Sequence, residues 1–134
     1  MIEADVVSLV QGNSAVRAVC TKGGGFFGTL PKDEALPSWT YITVWDGTSY
    51  TLQGPETASA RRVQIDCYGS TAADAINLAN AIYAVLNGYR GKPANGTTNI
   101  QGCFHINSMD YFDPDSRTFR RMLEFNVWFN TLTN

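Results

Sequence analysis

A chain of 134 residues fits one compact domain, and at that length folding hides roughly two-thirds of the unfolded surface, enough for a core without metals or disulfides. Hydrophobic residues make up 44%, with 7 Phe, 6 Tyr and 3 Trp among them, which excludes a disordered chain. Charged residues are only 16%, against about 25% in ordinary domains, and a formal charge of -2 lacks the basic surplus of a nucleic-acid-binding footprint. So few charges imply an outside shaped to meet other protein.

Ile2, Val6, Leu9 and Val10 are spaced as the stripe of a short amphipathic helix, with Glu3 and Asp5 in its first turn complementing the dipole. Gly12-Asn13 stops it, and Ser14 is placed to cap a further turn carrying Val16 and Val19. Residues 21–38, with Gly23-Gly24-Gly25, Pro31 and Pro37, read as an irregular connection that includes a short extended piece at Phe26-Phe27. The aromatic and β-branched run Trp39 to Trp45 predicts a strand. Asp46 to Ala60, with Gly47, Gly54 and Pro55, predicts a long excursion between paired strands. Residues 61–68 then alternate, with Val63, Ile65 and Cys67 facing one way and Arg62, Gln64 and Asp66 the other.

Thr71 and Asp74 resemble a capping box before a helix over about 71–87. Its apolar stripe is Ala72, Ala75, Ile76, Ala79, Ile82, Tyr83 and Leu86, and Asn87-Gly88 supplies the left-handed stop. The opposite face, Ala73, Asp74, Asn77, Asn80, Ala81 and Ala84, is small and nearly uncharged, suited to close approach by a partner. A Gly-, Pro- and Asn-rich loop precedes a strand over about 99–110, broken by Gly102. Asp113-Pro114-Asp115 makes a turn, and a long strand over about 117–131 places Phe119, Leu123, Phe125, Val127 and Phe129 mainly on one face. The order helix, strand, strand, helix, strand, strand predicts an α+β domain, 1–134, with helices packed on a largely antiparallel sheet.

Candidate chemistry is sparse. Cys103 and His105 share a strand face and Cys67 could lie on a neighbouring strand, but structural zinc wants a second ligand pair that the sequence lacks. Small core fillers explain the cysteines better. A Cys-His nucleophile pair has no orienting third group, and the glycine triplet matches no phosphate-binding spacing. Asp110, Asp113 and Asp115 lack the central Gly and distant Glu of a calcium loop, so a hairpin turn accounts for them. Arg61-Arg62 and Arg120-Arg121 are placed to pair with Asp66 or Glu124 across strands, or with a partner's acids. Three cysteines without C-x-x-C spacing fit a reducing compartment. The opening MIEADVVSLV lacks the basic start of a signal peptide, and no apolar run is long enough to span a membrane. The residues argue for an assembly component over an enzyme.

Several stretches taken in order resemble the tail completion proteins of long-tailed bacteriophages, also called tail-to-head joining or tail terminator proteins. They are MIEADVVSLV, LPSWTYI, YTLQGP, ARRVQIDCYGST with the helix AADAINLANAIYAVLNGYRG, and DYFDPDSRTFRRMLEFNVWF. The resemblance implies a subunit that assembles, usually as a six-membered ring, on the head-proximal end of the tail tube. Such a ring stops tube growth and docks to the connector beneath the capsid. The implied partners are copies of the chain itself, the tail tube protein and the stopper or adaptor proteins of the connector, with genomic DNA passing through the lumen. No enzyme activity, cofactor, metal or membrane is implied, and the implied location is the neck of the virion, with assembly in host cytoplasm.

On that reading the candidate subunit interface is Asp74, Asn77, Asn80, Ala81 and Ala84 with Arg61, Arg62 and Arg120. The candidate tube or connector contact is the loop carrying Asp46, Thr48, Tyr50, Leu52, Gln53 and Glu56. Another neck ring, stopper or adaptor, is the alternative. A small cytoplasmic ligand-binding or enzymatic domain using Cys103 and His105 is a further one.

Overall fold

The computed structural model describes the backbone of residues 2–51 and 57–131 and the side chains of 2–44 and 59–130. Helix α1 (Ile2–Gln11) buries Ile2, Val6 and Val10 of the expected stripe, while Val7 turns inward as well and Leu9 is half-buried. Asn13, not Ser14, caps α2 (Ser14–Val19): its carboxamide oxygen accepts from the N–H groups of Ala15 and Val16. A side-chain oxygen one residue earlier already satisfies those orphan donors, so Ser14 joins the helix.

The short extended piece is β1 (Gly25–Phe27), parallel to β2 (Ser38–Thr51). Strand β3 (Thr57–Gly69) returns antiparallel to β2. The excursion expected over 46–60 is therefore corrected: residues 46–51 and 57–60 are strand, paired through Ser49↔Ser59, Tyr50↔Ala58 and Thr51↔Thr57. Gly47 reads as a breaker, but it falls in the register shift between Asp46 and Ser49, where an irregularity absorbs it.

Helix α3 (Ala72–Leu86) starts on Thr71, whose hydroxyl oxygen accepts from the Asp74 N–H at 3.1 Å. Gly69 makes the hand-over from β3 possible, since a Cβ there would stand 2.6 Å from the Ala75 nitrogen. Gly88, at φ +81, lets the chain leave the helix in a conformation that favours glycine. The buried face is Ala75, Leu78, Ala79, Ile82 and Leu86. Leu78 replaces Ala72 and Tyr83 of the expected stripe, both of which are exposed, and Ile76 is half-buried. With apolar residues on nearly every side of AADAINLANAIYAVL, only the sheet beneath decides which turn inward.

Strand β4 (Thr98–Asp113) and β5 (Thr118–Thr131) close the fold as a long hairpin. Its turn follows from Asp113, whose carboxylate accepts from the Asp115 N–H at 3.0 Å and the Ser116 hydroxyl at 2.9 Å. The sheet order is β1-β2-β3-β5-β4, mixed only at β1 and otherwise antiparallel, so the expected α+β class holds with α2 and β1 added.

Helix α3 lies on β3 and β5, and α1 and α2 pack against α3. Val63, Ile65 and Cys67 of β3 and Leu123, Phe125 and Val127 of β5 are buried beneath these helices, with Trp39 and Tyr41 of β2. One buried carboxylate ties the layers together. Asp5 of α1 accepts from the backbone N–H groups of Thr97 and Thr98, at 3.1 and 3.0 Å, and from the Thr98 hydroxyl. The opposite sheet face carries no helix and presents Arg62, Gln64, Glu124 and Asn126 together with Phe104, Met109, Tyr111 and Trp128.

Candidate assembly surfaces

The cysteines and the histidine do not converge. Cys67 stands opposite Arg121 and Cys103 opposite Val127, so they lie about 20 Å apart along β5 at 3.3–3.4 Å per residue. Burial pushes the Cys103 thiol up to about 12 and the Cys20 thiol up to about 11, and holds Cys67 well above its ordinary value. Such thiols stay protonated near neutral pH, which suits packing and not nucleophilic attack. His105 contacts the rings of Tyr83 and Phe125 edge-on, at 5.2 and 5.6 Å, and its Nε2 lies 2.6 Å from the Ser108 hydroxyl. No group of three His, Cys, Asp or Glu able to hold a metal occurs among the described residues.

The arginines are engaged in different ways. The Arg120 guanidinium lies 4.2 Å over the Tyr111 ring, with Nε 3.9 Å from Asp66, which sits diagonally across the strand pair because the register places Tyr68 directly opposite Arg120. Burial raises the Asp66 carboxyl, opposed by its hydrogen bonds from Gln64 and by Arg120. Arg121 pairs with Asp110 on β4 instead of with Asp66 or Glu124, through two bonds of 2.7 and 2.9 Å. That fork holds the Asp110 carboxyl below its ordinary value. Arg61 stacks over Phe129 at 5.3 Å and donates to the Ala60 carbonyl, while Arg62 projects from the helix-free face.

The residues of the expected interface on α3 differ in exposure. Asn77, Asn80 and Ala84 are exposed on its outer side and Asp74 is half-buried in the first turn. Ala81 is half-buried at the margin of the core, because α3 is rolled so that Leu78 and Val85 turn inward. Of the expected contact loop, Asp46, Thr48 and Tyr50 belong to β2, whereas Leu52, Gln53 and Glu56 lie outside the described residues.

A cleft of about 790 Å³ separates the 30–36 segment from the β4–β5 turn and is lined by Leu30, Pro31, Leu36, Tyr68, Tyr111 and Arg120, among others. It is open to solvent, and its charged neighbours Lys32, Asp33 and Glu34 stand at the rim. Sequence patterning missed a larger feature, the concentration of exposed apolar side chains on β4: Phe104, Ile106, Met109, Tyr111 and Phe112. Their clustering was readable as a run with no Asp, Glu, Lys or Arg between Thr98 and Asp110, but exposure is a property of the edge position.

Fold and surface define a class: a small α+β structural domain whose cysteines, histidine and half-buried arginines contribute to packing. The family model described as tail completion protein gp17 matches residues 4–130, and the chain belongs to that family. Membership makes it a structural component of the phage virion tail. A chain of the virion of a native gene transfer agent particle shares the fold, with a TM-score of 0.73 at 13% identity over 96% of this chain and 94% of that one. No curated protein matches in sequence. No described helix is long and apolar enough to cross a membrane.

Proposed function

We propose that this chain caps the head-proximal end of the tail tube as a ring, six-membered in the family's usual form, ends tube polymerisation and joins the tail to the head connector. The observation that carries this reading is the family match running from residue 4 to residue 130, nearly the whole chain. The sparse charge and the exposed apolar side chains of β4 support it, because a subunit that closes rings must bury unlike surfaces against its neighbours. The tube end and the stopper or adaptor proteins are the partners, DNA passes the lumen without sequence-specific contact, and the job requires no cofactor or catalysis.

Tails produced without this protein test the reading: overlong tubes, or tails detached from heads, are expected in electron micrographs. Tails of normal length that join heads would overturn it. Binding of the purified subunit to portal-bearing heads, with none to tail tubes, would move the assignment to a stopper or adaptor ring.

A further inference from the structure

The two outer strands of the sheet are unlike, and the register sets them level. Tracing one row across the sheet, Gly25 of β1 stands opposite Trp39, then Cys67, Arg121 and Asp110 of β4. Two residues on, Phe27 shares a row with Tyr41, Ile65, Leu123 and Ser108. The inner half of β4 is covered by the chain itself. Gly88 N–H donates to the Cys103 carbonyl at 2.7 Å, Gly91 and Ile100 exchange bonds of 2.9 and 2.8 Å, and His105 N–H donates to the Asn87 side chain at 3.0 Å. Beyond this cover, no described residue pairs with the outer side of Asn107–Asp113, although Ile106, Met109, Tyr111 and Phe112 are 40, 47, 39 and 48% exposed. An uncovered edge whose Asp110 is already paired within its own sheet by Arg121, leaving Asp113 as its free charge, is a template for another strand. Its level counterpart β1 ends on Phe27, 55% exposed.

We propose that the outer half of β4 pairs with β1 of a second copy of this chain, so that the sheet continues from subunit to subunit in the ring proposed above, on which this inference rests. Direction and charge both favour this occupant. β1 runs with β2 and against β3, β3 against β5, and β5 against β4, so β4 of one copy meets β1 of the next antiparallel. Contact between two different edges is head-to-tail, and because the edges share the same rows the copies repeat by rotation with no rise, which is what a closed ring demands. With Gly25 opposite Asp110, exposed Lys22, in the bend just before β1, falls at the end of the pairing where Asp113 stands, with Asp115 beyond it in a turn whose own cation is Arg117. Asp113 stays ionised there, since bonds from Ser116 and Asp115 lower its carboxyl.

Engineered cysteines at Phe27 and Ser108 test the pairing. Within one copy four strand spacings separate these positions, about 19 Å, beyond any disulfide. In tails assembled from the F27C/S108C variant, mild oxidation is expected to give covalent multimers that end at the closed ring and vanish on reduction, with neither single variant doing so. Both positions are exposed, so a circular dichroism spectrum like that of the wild type is expected. Adding Lys22→Glu is expected to cut the cross-linked yield several-fold, and adding Asp113→Asn to it, which keeps the turn acceptor, to restore most of that loss. Monomers alone, on tails whose micrographs still show a terminal ring, would overturn the edge pairing and leave the capping role standing. Tails that lack the chain altogether would overturn both.

Discussion

Asp5 sits where an acid complements the α1 dipole, yet its carboxylate is buried and spent on Thr97 and Thr98, 92 and 93 residues away. Removing it leaves buried donors unpaired, so Asp5→Ala is expected to lower stability by about 3 kcal/mol in urea unfolding. Nothing near Asp5 in the sequence announces this partner, because the contact exists only once β4 has been brought beneath α1. Asp66 behaves in the opposite sense to Asp110. Its carboxyl is raised above the ordinary 3.8 by burial, so the folded state takes up this proton before the unfolded chain does. Its contribution to stability therefore grows as pH falls through the range above 3.8, whereas the Asp110 contribution is present above that value and fades as pH falls through its lowered one. Asp66→Asn is expected to lose stability more steeply than the wild type as pH falls toward 3.8, read from unfolding curves over a pH series.

The start of α3 and the turns were legible because a few local bonds make them, whereas the α2 cap fell on Asn13 and not on Ser14. Thr71 caps α3, and Thr71→Ala is expected to cost about 1 kcal/mol, seen as a lower midpoint of thermal unfolding with the native spectrum retained. The Asp113 turn and the Gly88 stop were equally local. Strand ends were not. Gly47 signals a break in any sequence, but pairing of Ser49 with Ser59 and Tyr50 with Ala58 carries β2 past it, and only the partner strand supplies those bonds. The roll of α3 was hidden for a related reason: alanines and aliphatics surround the helix, and contact with β3 and β5 selects Leu78 over Tyr83.

The assembled domain has one face covered by helices, one sheet face without a helix and two unlike edges. The outer side of α3 is a further candidate contact in the proposed ring, through Asn77, Asn80 and Ala84. Ala84→Glu is expected to change stability by less than about 0.5 kcal/mol, since the position is exposed, and to block ring formation on tails. Normal tails with this variant in their terminal ring would remove that helix face from the interface. Purified subunits are expected to be monomeric or weakly associated, because the tube end organises the ring. Tight rings at nanomolar concentration in mass photometry would contradict this.

Composition, alternation and capping residues were enough to predict an α+β domain with few charges and no converging chemistry, since those signals are local or are sums over the chain. Burial of Asp5, the orientation of α3 and the level placement of β1 and outer β4 depend on strands far apart in sequence finding their register. Hydrogen-bond pairing between distant segments has no local signature, so the edges left for a neighbour emerge only when every other strand has taken its partner.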